Sequence, residues 1–211
     1  MHQKLIVNKA CNAAVLAHID RWKGCTLCPL HVGSKQKVFF RGYIPCDVLI
    51  IGVGPLPNDE DVGKAMMGDN GAIIDEIIEG TMEKFKLHNK LSKMDRPLKT
   101  CITNSVLCRN NSPPDKDNIR ACSKRLAEFV NISKPKLLIA AGKEAGSAII
   151  SLLAHLPEYP RSIEIRGPGY VARLSGDDRS VEMERIKLSV TKALNNVFGQ
   201  KAVPLTENDE E

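Results

Sequence analysis

Two cysteines, Cys25 and Cys28, are separated by two residues in the stretch WKGCTLCPLHVG, residues 22–33. A CxxC pair occurs in redox-active disulfides, in zinc sites and in iron–sulfur sites. A thioredoxin-like redox pair follows a strand and opens a helix. This pair instead follows a helical pattern and precedes PLHVG, so the redox interpretation is the least favoured of the three.

A second pair, Cys108 and Cys122, lies far from the first along the chain. Cys108 follows a predicted strand, and Cys122 lies within the next predicted helix. This wide pair does not fit the compact CxxC…CxxC ribbon of structural zinc. Thiolates at irregular spacing, one pair on a proline-bearing loop, are also compatible with an iron–sulfur site. From the residues alone, zinc and iron–sulfur remain equally open.

The elements that position these cysteines alternate between strand and helix. Apolar runs such as CDVLIIGVGP (46–55) and PKLLIAAG (135–142) suit strands buried on both faces of a parallel sheet. The alternation predicts an α/β fold, a three-layer α/β/α sandwich around a central, mostly parallel four-stranded sheet. The predicted extended stretches are 37–40, 46–55, 98–108, 135–142 and 162–174, and the predicted helices are 9–23, 72–87, 115–131, 143–156 and 178–199.

The loops that follow the predicted strands are the expected place for function. Ligands in such folds bind at the carboxyl ends of the strands. The loops concerned are 53–71, 104–114 and 167–173, and residues 56–71 are predicted to be a polar loop. A Gly-Pro-Gly turn at 167–169 is predicted to join two extended pieces of the last stretch.

Charge indicates a partner that is a polyanion. The chain of 211 residues has a net charge of +5, and its last six residues, TENDEE, carry four acids and no base, which leaves +9 for the remainder. A basic body suits DNA or RNA, although many soluble domains are mildly basic. We predict one domain over residues 1–200 and a disordered acidic tail over 201–211, through which a protein partner could bind.

The sequence lacks the features of a membrane or secreted protein. No apolar run approaches the roughly 18 residues that a membrane span needs. The N-terminal stretch has no long apolar centre and no signal cleavage site. The seven cysteines are therefore not expected to form a disulfide framework. We expect a cytoplasmic, nucleoid-associated monomer.

Several motifs occur in the order found in a known family. The chain resembles the iron–sulfur branch, the family 4 type, of the uracil-DNA glycosylase superfamily. The glycines at 52, 63, 68 and 71 agree with that pattern without gaps, and the resemblance covers roughly residues 20–175. The matching stretches are CTLCPL (25–30), IGVGPLPNDEDVGKAMMGDNG (51–71), ITNSVLCRN (102–110), ACSKRL (121–126) and PKLLIAAGKEA (135–145).

The resemblance implies DNA glycosylase chemistry and a role for particular residues. It implies a [4Fe–4S] cluster held by Cys25, Cys28, Cys108 and Cys122, and it leaves Cys11, Cys46 and Cys101 as core residues. Asn104 stands where the family reads uracil, and its amide can both donate and accept on a pyrimidine edge. The alternative is an Asn that caps its own turn. The expected substrate-site residues are Gly52, Val53, Gly54, Pro55, Met66, Asn104 and Gly167, and the expected DNA contacts are Pro168, Gly169, Tyr170 and Arg173.

The chain departs from the family pattern at positions that carry chemistry. Val53 stands in place of a Glu, and Leu56 in place of a Gly. Met66 replaces the aromatic residue that stacks on uracil, and Met is softer and less selective against a base face. Gly167 occupies the position of a His that stabilises the anionic base.

Two hypotheses follow from these departures. In the first, the protein is an active glycosylase whose enlarged pocket, with Val53, Met66 and Gly167, admits a pyrimidine with a bulky C5 group. The water-activating acid is then one of Asp59, Glu60 and Asp61, with Asp61 as the catalytic candidate, although each could be a solvated loop charge. In the second, catalysis is weak or lost, and the fold is a DNA-binding module of a replication, repair or modification complex.

Overall fold

A computed structural model of the chain describes residues 9–88, 97–109 and 112–199. The predicted acidic tail, 201–211, lies outside these residues, as does the side chain of Cys11. The strands are β1 Phe40–Gly42, β2 Val48–Gly52, β3 Thr100–Asn104, β4 Leu137–Ala141 and β5 Arg161–Ile165. The helices are α1 Lys9–Trp22, α2 Pro57–Val62, α3 Asp69–His88, α4 Lys116–Ser133, α5 Lys143–Leu153, α6 Pro168–Val171 and α7 Gly176–Phe198, with a 3-10 turn at Pro29–His31.

The strands form one sheet in the order β1-β3-β2-β4-β5. The pairs β2–β3, β2–β4 and β4–β5 are parallel, and β1 is antiparallel to β3, with Phe40 opposite Thr103. The α/β class and the mostly parallel sheet are thus confirmed. The sheet has five strands where four were predicted, because the short piece near 37–40 pairs with the free edge of β3.

Helices cover both faces of the sheet, which explains why β2 is apolar at every position. Val48 and Ile50 point to one face, where they pack with apolar residues of α3 and α7. Leu49 and Ile51 point to the other, where they pack with α4 and α5. This alternation follows from the two-residue period of a strand, and it produces the predicted three layers. Cys46 and Cys101 are buried in the core between the sheet and helices α4 and α5.

Two short helices lie where the sequence predicted irregular chain. Residues 56–71, predicted as a polar loop, contain α2, and the Gly-Pro-Gly stretch predicted to lead into an extended piece instead opens α6. Both helices begin with a proline, Pro57 and Pro168, in the first helical position, where the fixed φ and the missing N–H are favourable. No helix in the described part of the chain is long and apolar enough to cross a membrane.

A buried histidine joins α1 to α4. His18 is 1% exposed, and its ring lies against the rings of Phe39 and Phe129, with centroids 6.0 and 5.6 Å away. Its Nδ1 atom is 3.3 Å from Oε1 of Glu128. Burial, reinforced by the nearby Arg125 cation, lowers the pKa of His18 from 6.5 to about 4, although Glu128 acts in the opposite direction.

We expect this histidine to make the fold acid-sensitive. Between pH 6.5 and pH 4 the unfolded chain binds a proton that folded His18 does not, so the free energy of unfolding falls as the pH is lowered. The loss from this residue is about 3 kcal/mol at pH 4. Urea unfolding of the wild type and of His18→Gln at both pH values measures it. An equal loss of stability in the two proteins would contradict the prediction.

Candidate active site and cysteine site

A cleft of about 790 Å³ opens at the carboxyl ends of the parallel strands. Its walls come from the residues after β2, the loop that enters α3, the β4–α5 junction and the end of β5 with α6. This is the edge at which α/β folds bind ligands, and the volume is in the range of small-molecule sites. The architecture therefore places a cleft where the loops were expected to carry a site.

The structure brings most of the sequence-predicted residues to this cleft. Gly52, the last residue of β2, is buried beneath it. The predicted substrate-site residues and the predicted DNA contacts line the same cleft, and their roles remain predictions. The lining includes Val53, Gly54, Pro55, Met66 and Gly167 from the predicted substrate site and Pro168, Gly169, Tyr170 and Arg173 from the predicted DNA contacts.

Asn104 lies at the end of β3, opposite Gly52 of β2. It is 0% exposed, and neither Oδ1 nor Nδ2 of its side chain has a hydrogen-bond partner among the described residues. A buried, unsatisfied amide costs roughly 1–3 kcal/mol for each group left unpaired. Such a cost is tolerated where the group serves a ligand, because the ligand then supplies the partner.

The Met66 side chain lies close to this amide. It lines the cleft, and its Cε methyl group lies against Gly52, next to Oδ1 of Asn104. A Cβ atom at Gly52 would collide with that methyl group and come within 2.5 Å of the Asn104 oxygen, so a larger residue there would displace both side chains. Met66 is 7% exposed and has a positive φ of 51°, a conformation that non-glycine residues rarely adopt.

Neighbouring residues hold Met66 in this conformation. The Asp59 carboxylate accepts hydrogen bonds from the backbone N–H of Leu56, at 3.0 Å, and of Met67, at 2.5 Å. The backbone of Gly71 lies so close to the Met66 carbonyl that a Cβ at position 71 would overlap it. Backbone strain of this kind persists where the surroundings enforce it, and it concentrates at binding sites.

The three candidate acids of α2 point in different directions. Asp59 is engaged as described, and Glu60, 1% exposed, accepts from the backbone N–H of Lys35 at 2.7 Å and pairs with Arg109 at 3.0 Å. Asp61 pairs with Lys35 at 3.2 Å and has an exposed side chain outside the cleft lining. Consecutive helical residues are turned by about 100°, so one helix face cannot present all three acids. The structure does not bring Asp61 to the cleft.

Charged cleft residues that the sequence analysis did not single out lie on the opposite wall. Glu164 is the penultimate residue of β5, and Lys143 and Glu144 open α5. Their positions, at the end of a strand and at the start of the next helix, are the sequence signal that could have indicated them. Farther along this wall, Glu182 pairs with Arg185 at 3.1 Å, and the Arg166 guanidinium lies 5.1 Å from the centre of the Tyr170 ring.

The four predicted metal-ligand cysteines surround a second, small cavity of about 10 Å³. Cys25 and Cys28 come from the loop after α1, Cys108 from the chain after β3, and Cys122 from α4. Burial raises the pKa of the Cys28 and Cys108 thiols, and Lys37 beside Cys108 offsets part of that effect. The tertiary structure therefore assembles four thiols that are up to 97 residues apart in the chain.

The donor set suits a sulfur-ligated metal group, although the thiols do not meet at one point. Within residues 9–88, 97–109 and 112–199, no three His, Cys, Asp or Glu side chains form a ready-made single-ion site. The same cavity is bordered by Arg125, which is 1% exposed and whose Nε atom lacks a hydrogen-bond partner. Four thiols beside a buried, incompletely satisfied cation fit an anionic thiolate-bound group.

Comparison with known proteins identifies the family. Residues 41–202 match the Uracil DNA glycosylase superfamily, and the chain belongs to it. The resemblance that the sequence motifs indicated is thereby confirmed, for a divergent, family 4-like member.

The names of individual relatives are more specific than the name of the superfamily. The chain is 29% identical to a type-4 uracil-DNA glycosylase of Pyrobaculum aerophilum over 73% of this chain and 72% of that protein. It is 26% identical to those of Sulfurisphaera tokodaii and Thermotoga maritima, over 70% and 62% of this chain and 62% and 63% of theirs. In the latter two, the match spans less than two thirds of the relative's own length.

Proposed function

We propose that this protein is a DNA glycosylase that hydrolyses the N-glycosidic bond of uracil or of a related pyrimidine in DNA. The observation that carries the proposal is Asn104, whose buried side-chain amide has no partner of its own beside the cleft. An amide that can donate through Nδ2 and accept through Oδ1 complements the pairing edge of a pyrimidine. The type-4 names of the relatives support the same reaction.

The base reaches Asn104 only if the nucleotide leaves the stack and enters the cleft. Met66 lies beside that amide and lines the cleft, so we expect its side chain to turn aside as the base enters. An unbranched thioether side chain has the freedom to do so and can then rest against the face of the base. Binding of the base would give both amide atoms of Asn104 the hydrogen-bond partners that they lack in the free protein, and would thereby offset the cost of burying them.

Breaking the glycosidic bond leaves negative charge on the departing base, which hydrogen-bond donors must stabilise. Asn104 Nδ2 is one donor. The first turn of α5 borders the same cleft, and its N-cap residue, Gly142, provides no side chain to satisfy the free N–H groups there. These groups and the positive end of the helix dipole would act in place of the histidine that position 167 lacks.

The pocket walls favour a wider substrate range than uracil alone. Val53 and Gly167 carry neither an acid nor an imidazole, and Met66 adapts in shape. A Cβ at Gly167 would meet the Ala141 carbonyl oxygen at 3.4 Å, a tolerable contact, so packing does not demand glycine there. The open position therefore favours a pyrimidine with a bulky C5 substituent.

The DNA backbone would be held by the rim of the cleft. Pro168, Gly169 and Tyr170 lie on α6, and Arg173 follows that helix. Arg173 is exposed and suits a phosphate, whereas Tyr170 is of a size to fill the gap that a flipped nucleotide leaves. Binding by such contacts would weaken as salt is raised.

We also propose that Cys25, Cys28, Cys108 and Cys122 hold a [4Fe–4S] cluster. Each cysteine of such a cluster binds a different iron atom, so the thiols surround a space rather than converge on one ion. Bound there, the cluster would supply cross-links between the loop after α1, the chain after β3 and α4. Its function in this proposal is structural, and no step of base release passes through it.

A catalytically weak DNA-binding module is the second candidate function. It is favoured by the engagement of Asp59 and Glu60 in hydrogen bonds or ion pairs within the scaffold and by the position of Asp61 outside the cleft. Without an acid at position 53, a water-activating group would have to come from elsewhere in the cleft.

The monomeric state and a protein partner for the acidic tail remain predictions.

One experiment separates the two candidates. DNA duplexes with uracil, 5-hydroxymethyluracil or a larger C5-modified pyrimidine are incubated with the protein, and abasic sites are scored by alkaline cleavage. We expect release from at least one of them, with the C5-modified bases preferred. Gly167→Val should reduce release of the bulky bases more than release of uracil. Salt-dependent binding without any release would favour the DNA-binding module.

A further inference from the structure

Arg125 of α4 lies between the cysteine cavity and the end of β3. Its side chain is 1% exposed and borders the cavity formed with Cys108 and Cys122. On its other side, Nη2 donates hydrogen bonds to the backbone carbonyl oxygens of Asn104 and Ser105, both at 2.8 Å. One guanidinium thus touches both the proposed cluster site and the backbone of the proposed base-reading residue.

The charge of Arg125 has no carboxylate to balance it. No ion pair joins it to an acid in the described part of the chain, and its Nε atom has no hydrogen-bond partner there. Burying an unpaired cation costs several kcal/mol, so native proteins place an anion beside one. The cavity on the cysteine side is where that anion belongs.

Four thiolates carry more negative charge than an iron–sulfur core carries positive charge, so the thiolate-bound cluster is an anion. We propose that Arg125 is a positioning residue that balances this anion and, through the same guanidinium, sets the position of Asn104. The inference rests on the proposed function and cluster. It goes beyond both, because it assigns the cluster an indirect influence on base recognition through one side chain.

The contacts of Ser105 show how that influence would reach the cleft. The Ser105 N–H donates to the Gly52 carbonyl at 2.8 Å, which joins the end of β3 to the end of β2. Arg125 caps the opposite side of the same segment through the two carbonyl oxygens. Without the anion, the guanidinium would lose its compensation and turn toward water, which would release the backbone that carries Asn104.

Four variants separate charge balance from positioning. Arg125→Gln removes both, whereas Arg125→Lys keeps the charge but cannot reproduce the planar fork of donors. Lys37→Gln removes a different cation, which lies beside Cys108 and makes neither of the two carbonyl contacts. Arg120→Gln is the matched control on the same helix, because the Arg120 side chain is 79% exposed.

Three quantities are measured on each purified, iron-loaded protein. They are the half-life of the visible cluster absorbance in excess chelator, the single-turnover rate of base release, and amide exchange of residues 104–108. For Arg125→Gln we expect the half-life and the release rate each to fall about tenfold, with faster exchange. Arg125→Lys should keep the half-life within about twofold yet still lose about tenfold in release. Lys37→Gln should shorten only the half-life, and Arg120→Gln should change none of the three.

Several outcomes would overturn the inference. Arg125→Gln could behave like Arg120→Gln, Arg125→Lys could restore release in full, or Lys37→Gln could reduce release as much as Arg125→Gln. A wild-type protein that loads no iron and sulfide would remove the proposed cluster and this inference with it. If the loaded wild type releases no base, the proposed activity fails, and amide exchange of 104–108 decides the positioning role by itself.

Discussion

Replacing Asn104 with alanine should abolish most of the base release, with a loss of about a hundredfold or more in the single-turnover rate. The reason is that the buried side chain supplies both a donor and an acceptor to the base. Stability should move in the other direction. Because both amide atoms are buried and unpaired in the free protein, their removal takes away a desolvation cost.

Measuring base release and stability together distinguishes a role of the amide in substrate binding from a role in the fold. Base release is followed on duplexes with uracil and with C5-modified pyrimidines, and the free energy of unfolding is taken from urea titration. Asn131→Ala, at an exposed position of α4, is the matched control and should alter neither quantity. An Asn104→Ala protein that still releases the base, or that loses several kcal/mol of stability, would show that the amide serves the fold and not the substrate.

Replacing Cys108 with alanine should remove the cluster and much of the stability. The thiol lies in a buried wall of the cysteine cavity, and three remaining cysteines cannot complete a four-thiolate site. The binding free energy of such a group is also folding free energy, so we expect a loss of more than about 3 kcal/mol. Iron and acid-labile sulfide per chain, visible absorbance and anaerobic urea unfolding measure the effect.

Cys46→Ala provides the comparison, because Cys46 is equally buried but lies in the apolar layer under α4. It should cost about 1 kcal/mol, as for a small cavity, and leave the iron content unchanged. The wild type should be brown when it is prepared without oxygen. A colourless wild type that contains zinc would overturn the cluster assignment, and a coloured Cys108→Ala would exclude Cys108 as a ligand.

Much of the fold was predictable because its signals are local. Apolar runs such as 46–55 and 135–142 favour strands covered on both faces, and the structure has β2 and β4 there. The errors have equally local causes. The sequence predicts a loop around Pro57 and a turn around Pro168, although proline also favours the first position of a helix.

The site was predictable only as a set of positions. Strand ends and the family resemblance indicated Asn104 and the four cysteines. The four cysteines line the small cavity, whereas Asn104 is buried beside Met66, which lines the cleft. The orientation of Asp61 was not predictable, because it depends on which face of α2 packs against the chain near Lys35. Met66 illustrates the same limit, since only the folded loop shows that its side chain lies beside Asn104.

The family resemblance, and not the residue pattern, indicated which four cysteines would hold a metal group. By itself, the sequence determined the layers of the fold and indicated the edge of the sheet at which a ligand would bind. These follow from periodicity, residue type and spacing, which act over short stretches of chain. Only the tertiary structure decided that the Asn104 amide is left without a partner and that Arg125 joins its backbone to the cysteine cavity. Hydrogen bonding and charge compensation between distant residues depend on distances of a few ångströms, which only the packed chain defines.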